Sequence, residues 1–249
     1  MPASDAAASV DPVDVARFEA IGDDWWDPKG SMRALHQINP LRIAWLRDAI
    51  ARHFETSSLP GEPSLAGLTI LDIGCGAGLL AEPLARLGAE VTGLDPAPGN
   101  IEVARRHAAE TGAGLAYRAA TLEQLASEAP SFDVVLAMEV VEHVRDMPHF
   151  VRAACSLVRP GGLIAASTLN RNLKSFALAI VGAEYVLGWL PRGTHRWERF
   201  VTPEELSGAF RSAGLREIAR AGLVYNPLAA AWRISRDTSV NYMIAATRA

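Results

Sequence analysis

The chain of 249 residues is short of cysteine, of positive charge and of long apolar runs, and each shortage removes a class of protein. Its two cysteines, Cys75 and Cys155, build no disulfide framework and form no C-x-x-C pair. That argues against a stapled secreted fold, a zinc site and dithiol chemistry. Lys and Arg number 24 against 28 Asp and Glu, a formal net charge of −4. Nucleic-acid binding needs concentrated basic surface to displace counterions from phosphates, so no nucleic-acid partner is expected. The longest apolar run, residues 176–190, is shorter than the ~20 residues of a membrane span, and Glu184 interrupts it. The start has neither the basic segment nor the apolar core of a secretory signal. Residues 1–13 read as a loose, disordered tail, and the expected location is the cytoplasm.

What is present suits one generous domain over residues 14–249, with 49% hydrophobic residues to fill its core. From residue 68 onward, β-rich runs alternate with helical patterns, the mark of parallel strands joined by crossover helices. Strands are expected at 69–73, 90–94, 115–119, 132–137, 163–168, 215–224 and 240–247. Helices are expected at 79–87, 100–110, 122–128 and 147–158. Asp146 is a plausible cap for the last of these, and Thr202-Pro-Glu-Glu for a later helix. The fold class is therefore α/β, a doubly wound, mostly parallel sheet of seven strands. A helical cap over residues 14–55 precedes it, and a helical insertion at 169–200 follows strand 5.

The segment Ile70-Leu-Asp-Ile-Gly-Cys-Gly-Ala-Gly78 runs a buried strand into a glycine turn and then a helix. Glycines there permit positive φ and let a ligand approach the backbone. A P-loop would place Lys-Ser/Thr after its last glycine, but Leu79-Leu80 follows. The dinucleotide fingerprint is G-x-G-x-x-G, whereas Gly74, Gly76 and Gly78 are spaced G-x-G-x-G. Asp72 lies inside the strand, awkward beside a pyrophosphate and useful beside a cation. S-adenosylmethionine (SAM) carries a positive sulfonium and a positive amino group. Asp95 ends the second strand, where an acid can accept both ribose hydroxyls. The pattern resembles the cofactor motif of the seven-stranded class I methyltransferases, a Rossmann-like fold. Thr121 and Leu122, after the third strand, could flank the adenine. Met138 could pack on the ligand or serve in the core.

Directly after the fourth strand, Glu139, Glu142 and His143 are spaced i, i+3, i+4 and share a face if the segment turns helically. Two carboxylates and an imidazole suit a divalent ion, with Mg²⁺ favoured over zinc. The alternative is that the acids and the His only hydrogen-bond the loop. His143 and Glu142 are the expected catalytic groups, with His143 as general base where no metal binds. His195 is a second base candidate.

Several further segments lie outside the general fold: Phe18-Glu-Ala, Trp25-Trp26-Asp27, Leu35-His36-Gln-Ile-Asn-Pro-Leu-Arg42, Ser167-Thr-Leu-Asn-Arg-Asn172 and Val181-Gly-Ala-Glu-Tyr185. With Gly193-Thr-His195 and Val240-Asn-Tyr-Met243, they closely resemble the ubiquinone-biosynthesis O-methyltransferases over nearly the whole chain. The resemblance implies methylation of the catechol-type hydroxyl of 2-polyprenyl-6-hydroxyphenol and of 3-demethylubiquinol. The alternative is a different small phenolic or amine acceptor. Arg42, Gly74, Asp95 and Met138 match the family's cofactor positions, and Glu139, Glu142 and His143 match positions assigned to Mg²⁺. Arg42 follows Asn39-Pro40, where its helix is expected to start, and could hold the cofactor carboxylate.

The insertion is almost wholly apolar between basic flanks, Arg171 and Lys174 before it and Arg192, Arg196 and Arg199 after. It reads as a lid, as a peripheral contact with anionic lipid at the inner face of the cytoplasmic membrane, or as both. Other enzymes of the ubiquinone pathway are candidate partners. Trp25 and Trp26 could help cover the acceptor, or could simply pack as two aromatics on a helix.

Overall fold

A computed structural model of the chain describes residues 9–56, 64–176, 197–226 and 229–249. Helix α1 (Pro12–Glu19), a 3₁₀ turn (Gly22–Trp26) and the long helix α2 (Arg33–Phe54) come first. Pro40 lies inside α2, so the helix does not start at Asn39-Pro40 as the dipeptide suggested. An interior proline forfeits one helical hydrogen bond. Burial of Ile38, Leu46 and Ile50 against the domain core offsets that loss. The loose-tail reading is corrected for Ser9–Val13. Ser9 is buried and gives both its N–H and its hydroxyl to Glu123, while the Asp11 side chain caps α1. Residues 1–8 lie outside the described residues.

The alternation of apolar runs produces a sheet threaded by helices. In chain order come β1 (Thr69–Ile73), α3 (Ala81–Arg86), β2 (Glu90–Asp95), α4 (Pro98–Thr111), β3 (Ala116–Ala119), α5 (Leu122–Ser127), β4 (Phe132–Met138), α6 (Met147–Ser156) and β5 (Val158–Leu169). The single turn α7 (Leu173–Ser175), α8 (Pro203–Ser212), β6 (Leu215–Asn226), β7 (Ala231–Ser235) and β8 (Asn241–Arg248) complete it. The spatial order is β3-β2-β1-β4-β5-β8-β6-β7. Strands β1 to β5 are parallel, and β8 inserts antiparallel between β5 and β6.

Neighbouring strand residues point to opposite faces, and each face has its own core. Ile70, Val134 and Met243 pack with α2, α3 and α4, whereas Leu71, Val135 and Tyr242 pack with α5, α6 and α8. Among the described residues the sheet has eight strands rather than seven. The extra strand, β7, pairs only with β6, and its side chains are exposed or half-buried. It therefore lacks the apolar alternation by which buried strands are read.

The chain winds from β1 out to β3, then crosses back to β4 on the other side of β1. That reversal opens a crevice beyond the C-terminal ends of β1 and β4, where ligands of open α/β sheets bind. The glycine loop leaves β1 there, and the 139–144 segment leaves β4.

Candidate active site

A cavity of about 740 Å³ occupies this crevice, a size suited to small-molecule ligands. Arg42, Asp72, Gly74, Gly76, Asp95, Leu122 and Met138 line it at one end or another, as do Glu139, Glu142 and His143. The sequence-expected residues thus share one space, with two exceptions. Thr121 is the N-cap of α5, its hydroxyl bound to the Gln124 N–H, and it does not line the cavity. Gly78 faces away, because a Cβ there would run into the Tyr117 hydroxyl. The missing side chain lets the loop pack closely on β3. His195 lies outside the described residues.

The acids of the crevice are prepared differently. The Asp95 carboxylate accepts from the backbone N–H of Gly76 at 3.0 Å and of Ala97 at 2.9 Å, and from the Asn100 amide at 3.2 Å. Burial raises its pKa, and these donors oppose the rise. Asp72 is buried with one carboxylate oxygen unpartnered, and burial together with the nearby Asp95 charge pushes it up to about 7. A buried acid without a donor is costly and is relieved by a cation. The residues present therefore fit SAM: a held acid for a diol, an unsatisfied acid for a positive group, and positive-φ glycines at 74 and 76.

Arg42 is buried, and its Nη2 lies 2.6 Å from Glu139 Oε1. Its Nη1 donates to Asn39 at 3.3 Å, and its Nε has no hydrogen-bond partner. Glu139 also accepts from the Ser167 hydroxyl at 2.7 Å and from the Asn241 amide at 3.2 Å. These bonds hold Glu139 at φ +59°, a conformation few non-glycine residues adopt. Glu142 is buried and accepts from Thr168 at 2.8 Å. Burial, followed by the Glu139 charge, raises its pKa.

The 139–144 segment is a run of turns, not a helix, so the i, i+3, i+4 face expected of it does not form. Its three side chains take separate partners: Arg42 for Glu139, Thr168 for Glu142, and Asp14 for His143. Among the described residues no group of three His, Cys, Asp or Glu is arranged to hold a metal ion. As placed, the three side chains do not converge on one point, and that arrangement does not fit Mg²⁺.

Several contributors carry no local motif. Asn100 orients Asp95, and Ser167, Thr168 and Asn241 hold the two glutamates. The 167–172 and 240–243 segments that stood out as unusual in the sequence supply three of these four. Trp25 lines the cavity beside the glycine loop, whereas Trp26 does not line it and packs behind the loop, giving its indole N–H to the Ala77 carbonyl. The Trp25 ring presses on Gly76, where a Cβ would come within 2.6 Å of it, and Trp26 stacks on His107 at 3.4 Å.

Together, the sheet order and this crevice define a class: the SAM-dependent methyltransferases. A family model described as a methyltransferase domain matches residues 40–219. A magnesium protoporphyrin IX methyltransferase from Synechocystis PCC 6803, solved with bound SAH, shares the fold at a TM-score of 0.61 and 19% identity, with 88% of this chain and 85% of that one covered. The relatives go further. The ubiquinone biosynthesis O-methyltransferase of Methylobacterium nodulans is 63% identical over 96% of both chains. That of Methylocella silvestris is 60% identical over 97% of this chain and 96% of its own. The chain belongs to the ubiquinone-biosynthesis O-methyltransferase family, and it is a SAM-dependent O-methyltransferase.

Proposed function

We propose that the chain methylates the catechol-type hydroxyl of a 2-polyprenyl-6-hydroxyphenol and of 3-demethylubiquinol, with His143 as the base. The observation that carries this reading is the single cavity that joins Asp72 and Asp95 to Glu142 and His143. Asp95 would take the ribose hydroxyls, Asp72 a positive group of the amino-acid end, and Arg42 its carboxylate, with Gly74, Gly76, Leu122 and Met138 as walls. When bound, SAM supplies an electrophilic methyl group on a sulfonium.

The rest falls to side chains of the protein. A free phenol has a pKa near ~10, so the acceptor hydroxyl must lose its proton during transfer. His143 borders the cavity and takes that proton. Burial raises the Glu142 pKa, which favours its neutral form beside the developing phenolate. Holding the hydroxyl in line with the methyl group can account for about 7–11 kcal/mol of the barrier.

The acceptor's tail must come out of lipid. Described residues include no helix long and apolar enough to cross a membrane. The 169–200 insertion lies largely outside the described residues, but its near flank exposes Leu173 and Phe176 beside Lys174. A peripheral contact with anionic lipid and association with other enzymes of the pathway belong to this proposal. Flotation with anionic vesicles and not with neutral ones is the expected result; equal flotation with both counts against it.

The test of the chemistry uses a short-chain prenyl catechol, a soluble phenol and an amine, each assayed with SAM in EDTA and again with Mg²⁺. Turnover of the prenyl catechol in EDTA is expected. Preference for the phenol or the amine would reassign the acceptor, and activity that appears only with Mg²⁺ would replace the base by a metal.

A further inference from the structure

The cavity changes character along its length. Asp72, Asp95, Arg42 and Glu139 border its polar end, whereas β6 and β7 line it with Leu223, Val224, Tyr225 and Trp232, none of them charged. The strand register carries one face of the sheet from the first region to the second. Leu169 of β5 is paired with Asn241 of β8, and Asn241 with Leu223 of β6. Two positions on, and so on the same face, Tyr225 is paired with Trp232 of the edge strand β7. Asn241 donates to Glu139 at 3.2 Å, so this row begins beside the acceptor groups and ends at the sheet edge. Helix α2 forms the facing wall. Ala34, Ile38 and Arg42 line the cavity at i, i+4 and i+8, and Ile38 shares a core cluster with Leu223. The Trp232 indole N–H donates to Gln37 at 3.3 Å, which closes the edge strand onto that helix. Lys174, beside the exposed Leu173 and Phe176, pairs with Asp237 at 2.9 Å in the turn between β7 and β8. The apolar flank of the insertion therefore adjoins the turn that follows the edge strand.

We propose that the part of the cavity between α2 and the β6–β7 edge holds the isoprenoid tail of the acceptor, with Ala34 and Trp232 setting how much of it is held. The inference rests on the catechol methylation proposed above and adds where the tail lies. An apolar tail gains by leaving water, and uncharged walls receive it without stripping water from an ion. Arg42 marks where the space turns polar, since its guanidinium is paired with Glu139. At ~1.5 Å per residue, Ala34 and Arg42 are roughly 12 Å apart along α2, about the length of two isoprene units. The first two units are held there, and later ones pass the sheet edge. Binding energy from this remote part of the substrate fixes the ring, so the tail raises kcat/KM for transfer to the hydroxyl.

The test is a series of methyl, dimethylallyl, geranyl and farnesyl catechols, assayed with SAM below the concentrations at which they form micelles. In the native chain kcat/KM should rise about tenfold or more with each of the first two isoprene units, and less than about twofold with the third. Trp232→Ala opens the wall and Ala34→Phe fills the space, and each should lower the geranyl-to-methyl ratio by about tenfold. Arg233→Ala, exposed on the opposite face of β7, should keep the native ratio. Melting temperature and SAM affinity report whether each variant is folded. A geranyl catechol with a diazirine at the tail end, irradiated with the native chain and S-adenosylhomocysteine, should label residues within 34–38, 223–225 or at 232. A ratio unchanged in both wall variants, native rates that ignore the tail, or label confined to 177–196 overturns the inference and leaves catechol methylation standing. A native chain that binds SAM and methylates none of the four catechols overturns the functional reading, and the tail site with it.

Discussion

The most consequential residue is Asp72, an acid that the folded chain buries without a hydrogen-bond partner for one of its oxygens. Its pKa stands at about 7 against an ordinary 3.8, so below pH 7 the ligand-free protein keeps a proton there. A cation binds the ionised form, and binding below pH 7 must expel that proton. SAM affinity should therefore rise from pH 6 to pH 8 and level off above, by up to tenfold per unit below 7. Asp72→Asn should flatten this profile and weaken binding at pH 8; calorimetry at three pH values reads both. The sign for stability is opposite. Between 3.8 and 7 the folded state holds a proton that the unfolded chain has lost, so the ligand-free protein loses stability as pH rises through this window. The difference in melting temperature between Asp72→Asn and the native chain should grow over the same window. Asp72 and Asp95 were legible in the sequence because the loop that uses them is continuous and its spacing excludes other ligands. Asp14 was not, since nothing local to α1 announces a histidine 129 positions away.

Among the elements, α8 shows how far a local signal reaches. Thr202, Pro203 and the acids after them read as a helix start, and the structure forms a full capping box. The Thr202 hydroxyl accepts from the Glu205 N–H at 3.2 Å, and the Glu205 carboxylate accepts from the Thr202 N–H at 2.8 Å. Thr202→Ala should cost about 1 kcal/mol, or roughly 2–4 °C in melting temperature, with SAM affinity unchanged. The parallel strands were legible because their apolar runs are bounded by glycines and helices. Strand β7 was missed because a sheet edge buries too little to leave a pattern. The 139–144 segment was misread for a related reason. Spacing alone suggested a helix, but the long-range partners Arg42, Thr168 and Asp14 pull its three side chains apart.

At the scale of the whole molecule, the N-terminal segment is fastened over the crevice from several sides. The N-terminal segment covers the glycine loop through Trp25 and reaches the base through Asp14, while Arg199 fastens it from the acceptor side. The fold class, the cofactor and the enzyme family could all be anticipated from sequence. How the two ends of the chain cooperate could not, because that depends on contacts between residues nearly two hundred positions apart. The most direct measurement is mass spectrometry of the product after the protein is incubated with methyl-labelled SAM and a prenyl catechol. The account predicts a single labelled methyl on a catechol oxygen. A methyl on carbon or nitrogen, or no transfer by protein that demonstrably binds SAM, would contradict it.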